Sequence, residues 1–200
     1  MTGSIRQQEF ADAALRIVAR DGLAALSFRA VASESGWSLG AVQKAFASKE
    51  ALLLATLERA QAQVISGSSA EPAQPTLEIW LVGLVLATLP LDQDRRAAVI
   101  VGTAFADRAP FDQTIADRLT ASDTAIRALL IRLFSWRRAE GELAARLNDE
   151  ALARAVLAFA GGLAAQLLYD PRPASAVEEL VAGTIGSLLA PSASPVARVG

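Results

Sequence analysis

Apolar residues recur at three- and four-residue intervals along nearly the whole chain, and the strict alternation that marks strands is almost absent. Phe10, Ala14, Ile17 and Val18 line one face of a first helix that stops at Asp21-Gly22, with Gly22 expected as its left-handed cap. Ser27, a good N-cap, opens a short helix ending at Ser35-Gly36, and Ser38 opens a second that runs through Ala45-Phe46. Ser48 then caps a long helix carrying Leu52, Leu53 and Leu57 and reaching Val64. The stretch from Ser66 to Pro75 is rich in Ser, Gly and Pro and reads as a loop. Beyond it the pattern predicts helices over 76–89, 93–108, 111–139, 149–169 and 175–190. Asn148 with Asp149 and Glu150 marks one helix start, and Ser175-x-x-Glu178 has the spacing of a capping box for the last. Trp136-Arg137-Arg138 reads as a helix end whose cations complement the C-terminal dipole. Pro191 and Pro195 stop the final helix, leaving residues 191–200 as an expected flexible tail.

Composition narrows the chemistry more than the fold. Of 200 residues, 52% are hydrophobic and 20% charged, enough apolar material for a sizeable core and too much for a disordered chain. There is no cysteine and no histidine, which excludes disulfides, Cys/His zinc sites and any mechanism needing a thiolate or imidazole. An all-α enzyme would have to work through carboxylates, lysine, serine or tyrosine. The neighbouring carboxylates Asp92/Asp94 and Glu140/Glu142 fall at helix ends and read as solvated caps, and no phosphate-binding loop or nucleophile elbow is present. No catalytic residue, metal ligand or cofactor is therefore assigned. The apolar run Ile79–Leu91 is short for a bilayer, Leu180–Ala197 is broken by Gly and Pro, and the start lacks an apolar stretch behind a basic head. No membrane partner is expected, and the location expected is cytoplasmic.

Residues 27–46 carry the functional pattern. Phe28, Val31 and Ala32 on the first short helix, with Val42 and Phe46 on the second, make a miniature core against the first helix. That leaves Ser38, Leu39, Ala41, Gln43 and Lys44 around the outside, while Gly40 and Ala41 are small enough for close approach to a ligand backbone. This is the helix-turn-helix layout, whose second helix enters the major groove of duplex DNA. Net charge is only −2, and residues 1–60 are near neutral, so the case rests on geometry rather than on a basic total. Lys49, Lys44 and Arg29 are the phosphate candidates; Ser38, Leu39, Ala41 and Gln43 are the base-reading candidates. Trp37 is expected to pack its ring into the small core.

The order Asp21-Gly22-Leu23, Ser27-Phe28-Arg29-Ala30-Val31-Ala32, Ser35-Gly36-Trp37-Ser38-x-Gly40 and Phe46-Ala47-Ser48-Lys49-Glu50-Ala51-Leu52-Leu53 resembles the N-terminal region of the TetR family of transcriptional repressors, over about a quarter of the chain. One position departs from that pattern: Gln43 stands where the family most often has a tyrosine that touches DNA. The resemblance implies an all-α fold with a three-helix DNA-binding domain at 1–48, a helical effector-binding and dimerisation domain at 49–190 and a flexible tail at 191–200. It implies a homodimer on a palindromic double-stranded operator, released by a small effector, with the apolar character of 76–108 favouring a lipophilic one. Its DNA-binding residues would be Ser27, Arg29, Ser38, Leu39, Gly40, Ala41, Gln43, Lys44, Ser48 and Lys49. Trp80, Leu84, Phe105, Phe134 and Phe159 would line the effector pocket. The last two helices would pair with their copies through Gly161, Gly162, Ala165, Leu168, Leu180 and Leu188. The alternative is a related regulator that has lost DNA binding and acts through protein contacts.

Overall fold

The computed structural model describes residues 2–67, 76–144 and 146–191, with side chains at all of these except 2–4 and 63–67. No strand occurs among the described residues. The helices are α1 (Thr2–Asp21), α2 (Phe28–Ser35), α3 (Leu39–Ala45), α4 (Lys49–Gly67), α5 (Leu77–Thr88), α6 (Gln93–Arg108), α7 (Gln113–Ala139), α8 (Asp149–Leu167) and α9 (Ala174–Leu189). Short 3-10 turns, Leu23–Ala25 and Ala109–Phe111, precede α2 and α7. Val64 and the tail beyond Pro191 lie outside the described side chains and residues.

Helix starts follow local side-chain chemistry. Ser27, Ser38, Thr76, Asp92, Asp112 and Asn148 each accept a bond from an amide in the first turn they cap. Two expectations are corrected. Gly22 has a positive φ of 80° but a ψ of 170°, so it turns the chain through an extended conformation rather than a left-handed helical one. Ser175 caps nothing: α9 begins at Ala174 behind Pro173, whose ring fixes φ at −56° and whose carbonyl accepts from Val177. Ser175 thus sits inside the first turn.

Two apolar cores organise the molecule. The first gathers Phe10, Ile17 and Val18 of α1, Val31 of α2, Val42 of α3, Phe46, and Leu52, Leu53 and Leu57 of α4. It is completed from elsewhere in the chain, by Ala97, Ala98, Val101 and Phe105 of α6 and Ile115 of α7. The second joins Leu77, Leu81 and Val85 of α5, Leu130 and Phe134 of α7, Leu152, Val156 and Leu163 of α8, and Val177, Val181 and Ile185 of α9. Each fully buried Leu, Ile, Val or Phe among them contributes about 1.5–3 kcal/mol, the quantity that outweighs the entropy of ordering the chain.

Ion pairs add links between helices already packed on these cores. Arg59 of α4 grips Asp12 of α1 through two bonds, 2.6 and 3.2 Å long. Arg118 of α7 meets Glu58 of α4. Arg138, in the last turn of α7, bonds Asp149 at 3.0 Å and the Leu147 carbonyl at 2.9 Å, so the cation expected at a helix end also holds the entry to α8.

Candidate nucleic-acid interface

The turn between α2 and α3 is built from backbone chemistry. Gly36 adopts the left-handed conformation, φ 72° and ψ 14°, and lets the Trp37 amide donate back to the Ala32 carbonyl at 3.1 Å. Ser38 then caps α3, its hydroxyl accepting from the Ala41 amide at 3.2 Å. Val42 is buried, as are Val31 and Ala32, while Phe28, Leu39 and Ala41 pack partly against the same core. With that face occupied, Ser38, Gly40, Gln43 and Lys44 are left exposed around the other side of α3.

The bihelical unit is pinned to α1 from two directions. Glu34 of α2 receives Arg16 at 3.0 Å and Arg20 at 3.1 Å, both from α1. The hydrogen bond from Arg16, then that from Arg20, holds the Glu34 carboxyl below the usual carboxylate range. At the other end, Gln7 of α1 donates to the Ala45 carbonyl of α3 at 2.9 Å. The orientation of α3 is thereby set before any ligand arrives.

Charge on this surface is available rather than spent. Arg29, Lys44 and Lys49 are exposed, and none forms an ion pair among the described residues. Ser27 and Ser48 are committed to capping, accepting from Ala30 at 3.2 Å and Ala51 at 3.1 Å. At the start of α4 the Glu50 carboxylate binds its own amide first and Ser48 second, which lowers its pKa. An anion beside Lys49 would therefore meet the lysine ammonium more than the helix amides.

Trp37 is where the sequence expectation fails. The residue is 40% exposed instead of sunk in the small core. Its ring centroid lies 6.3 Å from that of Phe10 with the planes at 87°, and the Arg6 guanidinium lies over its face at 4.9 Å. Phe10 and Phe46 already fill the space beneath, 6.3 Å apart, so the indole is held at the rim. Arg6 was not a sequence candidate. It carries no motif, and only the packing of α1 across α3 brings it to this edge.

The effector-pocket candidates are not all brought together. Trp80, Leu84, Phe134 and Phe159 surround the second core, whereas Phe105 is 2% exposed within the first. The reason lies in α6, whose Ala97, Val101 and Phe105 share one face and turn it toward α1 and α4. Two clefts formed by described residues have other linings. One, about 250 Å³, lies between α1 and α4 and includes Gln7, Ala55 and Arg59; the other, about 510 Å³, lies among Leu77, Glu78, Glu142, Leu143 and Leu189. Of the dimer candidates, Gly161, Gly162 and Leu180 are exposed, and Ala165, Leu168 and Leu188 are partly buried. The most apolar long helix, α8, is by length and composition able to cross a bilayer, yet its exposed flank is small residues, with Arg154 and Gln166. No group of His, Cys, Asp or Glu among the described residues could hold a metal ion.

Comparison with known proteins places this geometry. Residues 10–56 match the family described as bacterial regulatory proteins, tetR family, and residues 77–190 match the C-terminal family of BetI-type transcriptional repressors. The HTH-type nicotine-responsive transcriptional repressor HdnoR of Paenarthrobacter nicotinovorans is 40% identical over 70 residues, a match spanning 32% of this chain and only 36% of that repressor. A transcriptional regulator from Rhodococcus sp. Rha1 superposes with TM-score 0.80 at 26% identity, over 92% of this chain and 95% of its own. The multidrug binding protein EbrR, solved in complex with imidazole, superposes with TM-score 0.69 at 25% identity, over 94% of this chain and 97% of its own.

Proposed function

We propose, from the premise that the chain belongs to the TetR family of transcriptional regulators, that it is a cytoplasmic homodimeric repressor that binds a palindromic operator and is released by a small lipophilic effector. The observation that carries the DNA reading is α3 itself: a helix capped by Ser38 at its start and bonded to α1 at its end, whose exposed side is Ser38, Gly40, Gln43 and Lys44. Gln43 has the amide geometry to pair with adenine, and Lys44, Arg29 and Lys49 are unpaired cations for phosphates. Residues 1–48 serve as the DNA-binding unit and 49–190 as the effector and dimerisation unit.

Two copies are needed to read two half-sites about 34 Å apart. The flank of α8 and α9 with Gly161, Gly162, Ala165 and Leu180 supports a pairing face. Space for a larger side chain exists at Gly161 and Gly162 within one subunit, since a Cβ there meets nothing within 4 Å. Gly162→Arg is thus compatible with a folded monomer and is expected to abolish the dimer by light scattering; an unchanged mass would place the interface elsewhere. Trp80, Leu84, Phe134 and Phe159 are the pocket residues retained. A relative named for its response to nicotine and a neighbour named as a multidrug binding protein support a small organic effector. Binding it would favour one spacing of the two α3 helices, weakening operator affinity by its differential affinity for the two arrangements.

The decisive experiment is a mobility-shift titration on the DNA flanking the gene, repeated at several salt concentrations. Saturable, sequence-selective binding is expected. Lys44→Ala and Lys49→Ala should weaken binding to every sequence alike, each reducing the salt slope by about one phosphate contact per protomer. Binding without sequence preference would overturn the repressor reading.

A further inference from the structure

We propose that Trp37 and Arg6 form a second DNA-contacting unit beside α3, in which the indole packs on the deoxyribose wall of the groove and the guanidinium holds the adjacent phosphate. The inference rests on the operator reading above. Trp37 immediately precedes Ser38, the cap of α3, so its ring stands at the leading end of the helix that would enter the groove. A residue serving only the small core would be buried as completely as Val31 and Val42; Trp37 is 40% exposed. Nor is it a loose surface side chain. Phe10, itself fully buried, packs nearly perpendicular to it with ring centroids 6.3 Å apart, and Arg6 covers one face at 4.9 Å.

The neighbours fit a polyanion rather than a protein. Arg6 forms no ion pair with a carboxylate among the described residues, and Glu34, the acidic residue of α2 that faces α1, is bonded to Arg16 and Arg20 further along that helix. The successive residues Arg6 and Gln7 reach opposite ends of α3, one over Trp37 and the other on the Ala45 carbonyl. Lys44 adds another unpaired cation on the same short helix. A cation stacked on an aromatic face still offers its outward N–H groups, so Arg6 can hold the indole and a phosphate together. Because both side chains are positioned before binding, little ordering entropy is lost on contact.

The chain's three tryptophans make the test direct. The full-length protein is labelled with 5-fluorotryptophan, the Trp37 signal is assigned with Trp37→Phe, and the DNA flanking the gene is titrated in while fluorine spectra are recorded. The Trp37 resonance is expected to move and lose its solvent-isotope shift at saturation, while Trp136, 48% exposed on α7, stays in place. Trp37→Ala should weaken binding about tenfold, from lost apolar contact, and leave the salt slope unchanged. Arg6→Gln should instead reduce that slope by about two per dimer. If Trp37→Ala unfolds the DNA-binding unit, the fluorine titration of the otherwise unmodified chain decides alone. DNA binding with an unmoved Trp37 signal, or an intact salt slope in Arg6→Gln, overturns the proposal. Absence of saturable binding in the unmodified chain would overturn both this and the operator reading, and the mobility shift identifies that case.

Discussion

Glu34 adds a polar tie to the apolar packing that places α2. It joins two arginines of α1, and both hydrogen bonds exist only while the carboxyl is ionised. A folded-state pKa depressed below its unfolded value contributes stability that is complete above the ordinary carboxylate range and is lost as pH falls through the depressed value. Asp92 acts in the same direction: burial pushes its carboxyl up, but the Arg95 amide and guanidinium together outweigh that and hold it down. Thermal midpoints should therefore fall as the solution is acidified below the carboxylate range. Glu34→Gln should unfold at a lower temperature at neutral pH and show a shallower acid dependence; identical pH profiles for the two proteins would show that Glu34 does not hold α2. Trp37 shows why residues like these are poorly legible in advance. Its type argued for burial, and what decided otherwise was the prior occupation of the core by Phe10 and Phe46, residues on either side of it in sequence.

At the level of elements, legibility follows the range of the interactions involved. The bounds of α2, α3 and α8 could be read because Ser27, Ser38 and Asn148 bond amides three residues away. The start of α9 could not be read from Ser175-x-x-Glu178, because that spacing competes with Pro173, which ends the loop first. Substitution separates the two cases. Ser27→Ala removes a real cap and should cost about 1 kcal/mol. Ser175→Ala removes none and should stay within about 0.5 kcal/mol of the parent, measured by denaturant unfolding. Gly36→Ala tests the turn: a Cβ there meets no atom within 4 Å, so the whole cost, about 1–2 kcal/mol, is backbone strain at φ 72°. On the function proposed above, that loss should be accompanied by weaker DNA binding, because the turn sets the angle at which α3 is presented.

For the whole molecule, the important fact is that sequence segments and cores do not coincide. The helices of residues 1–48 have a face that α4 alone leaves open, and α6 closes it with Ala97, Ala98, Val101 and Phe105. The pattern predicts a helix over 93–108 but not which neighbour its apolar face meets, so the resemblance alone puts Phe105 in a pocket with Trp80 and Phe134. The consequence is mechanical. α6 is packed into the first core while its Arg95 holds the Leu86 carbonyl at the end of α5 at 2.8 Å, so one rigid helix belongs to the DNA-binding end and is bonded to the body. A segment of about 60 residues is marginal even with a complete core, and this one lacks a wall. Residues 1–67 expressed alone should therefore show weak helicity and a broad, non-cooperative thermal transition by circular dichroism, where the full chain melts sharply. In the full chain Phe105→Ala should cost about 3–5 kcal/mol and impair DNA binding, although the side chain lies far along the sequence from α3. A fragment that melts as cooperatively as the intact protein would mean that the DNA-binding unit needs no support from α6, and the effector response proposed above would then have to reach α3 through α4.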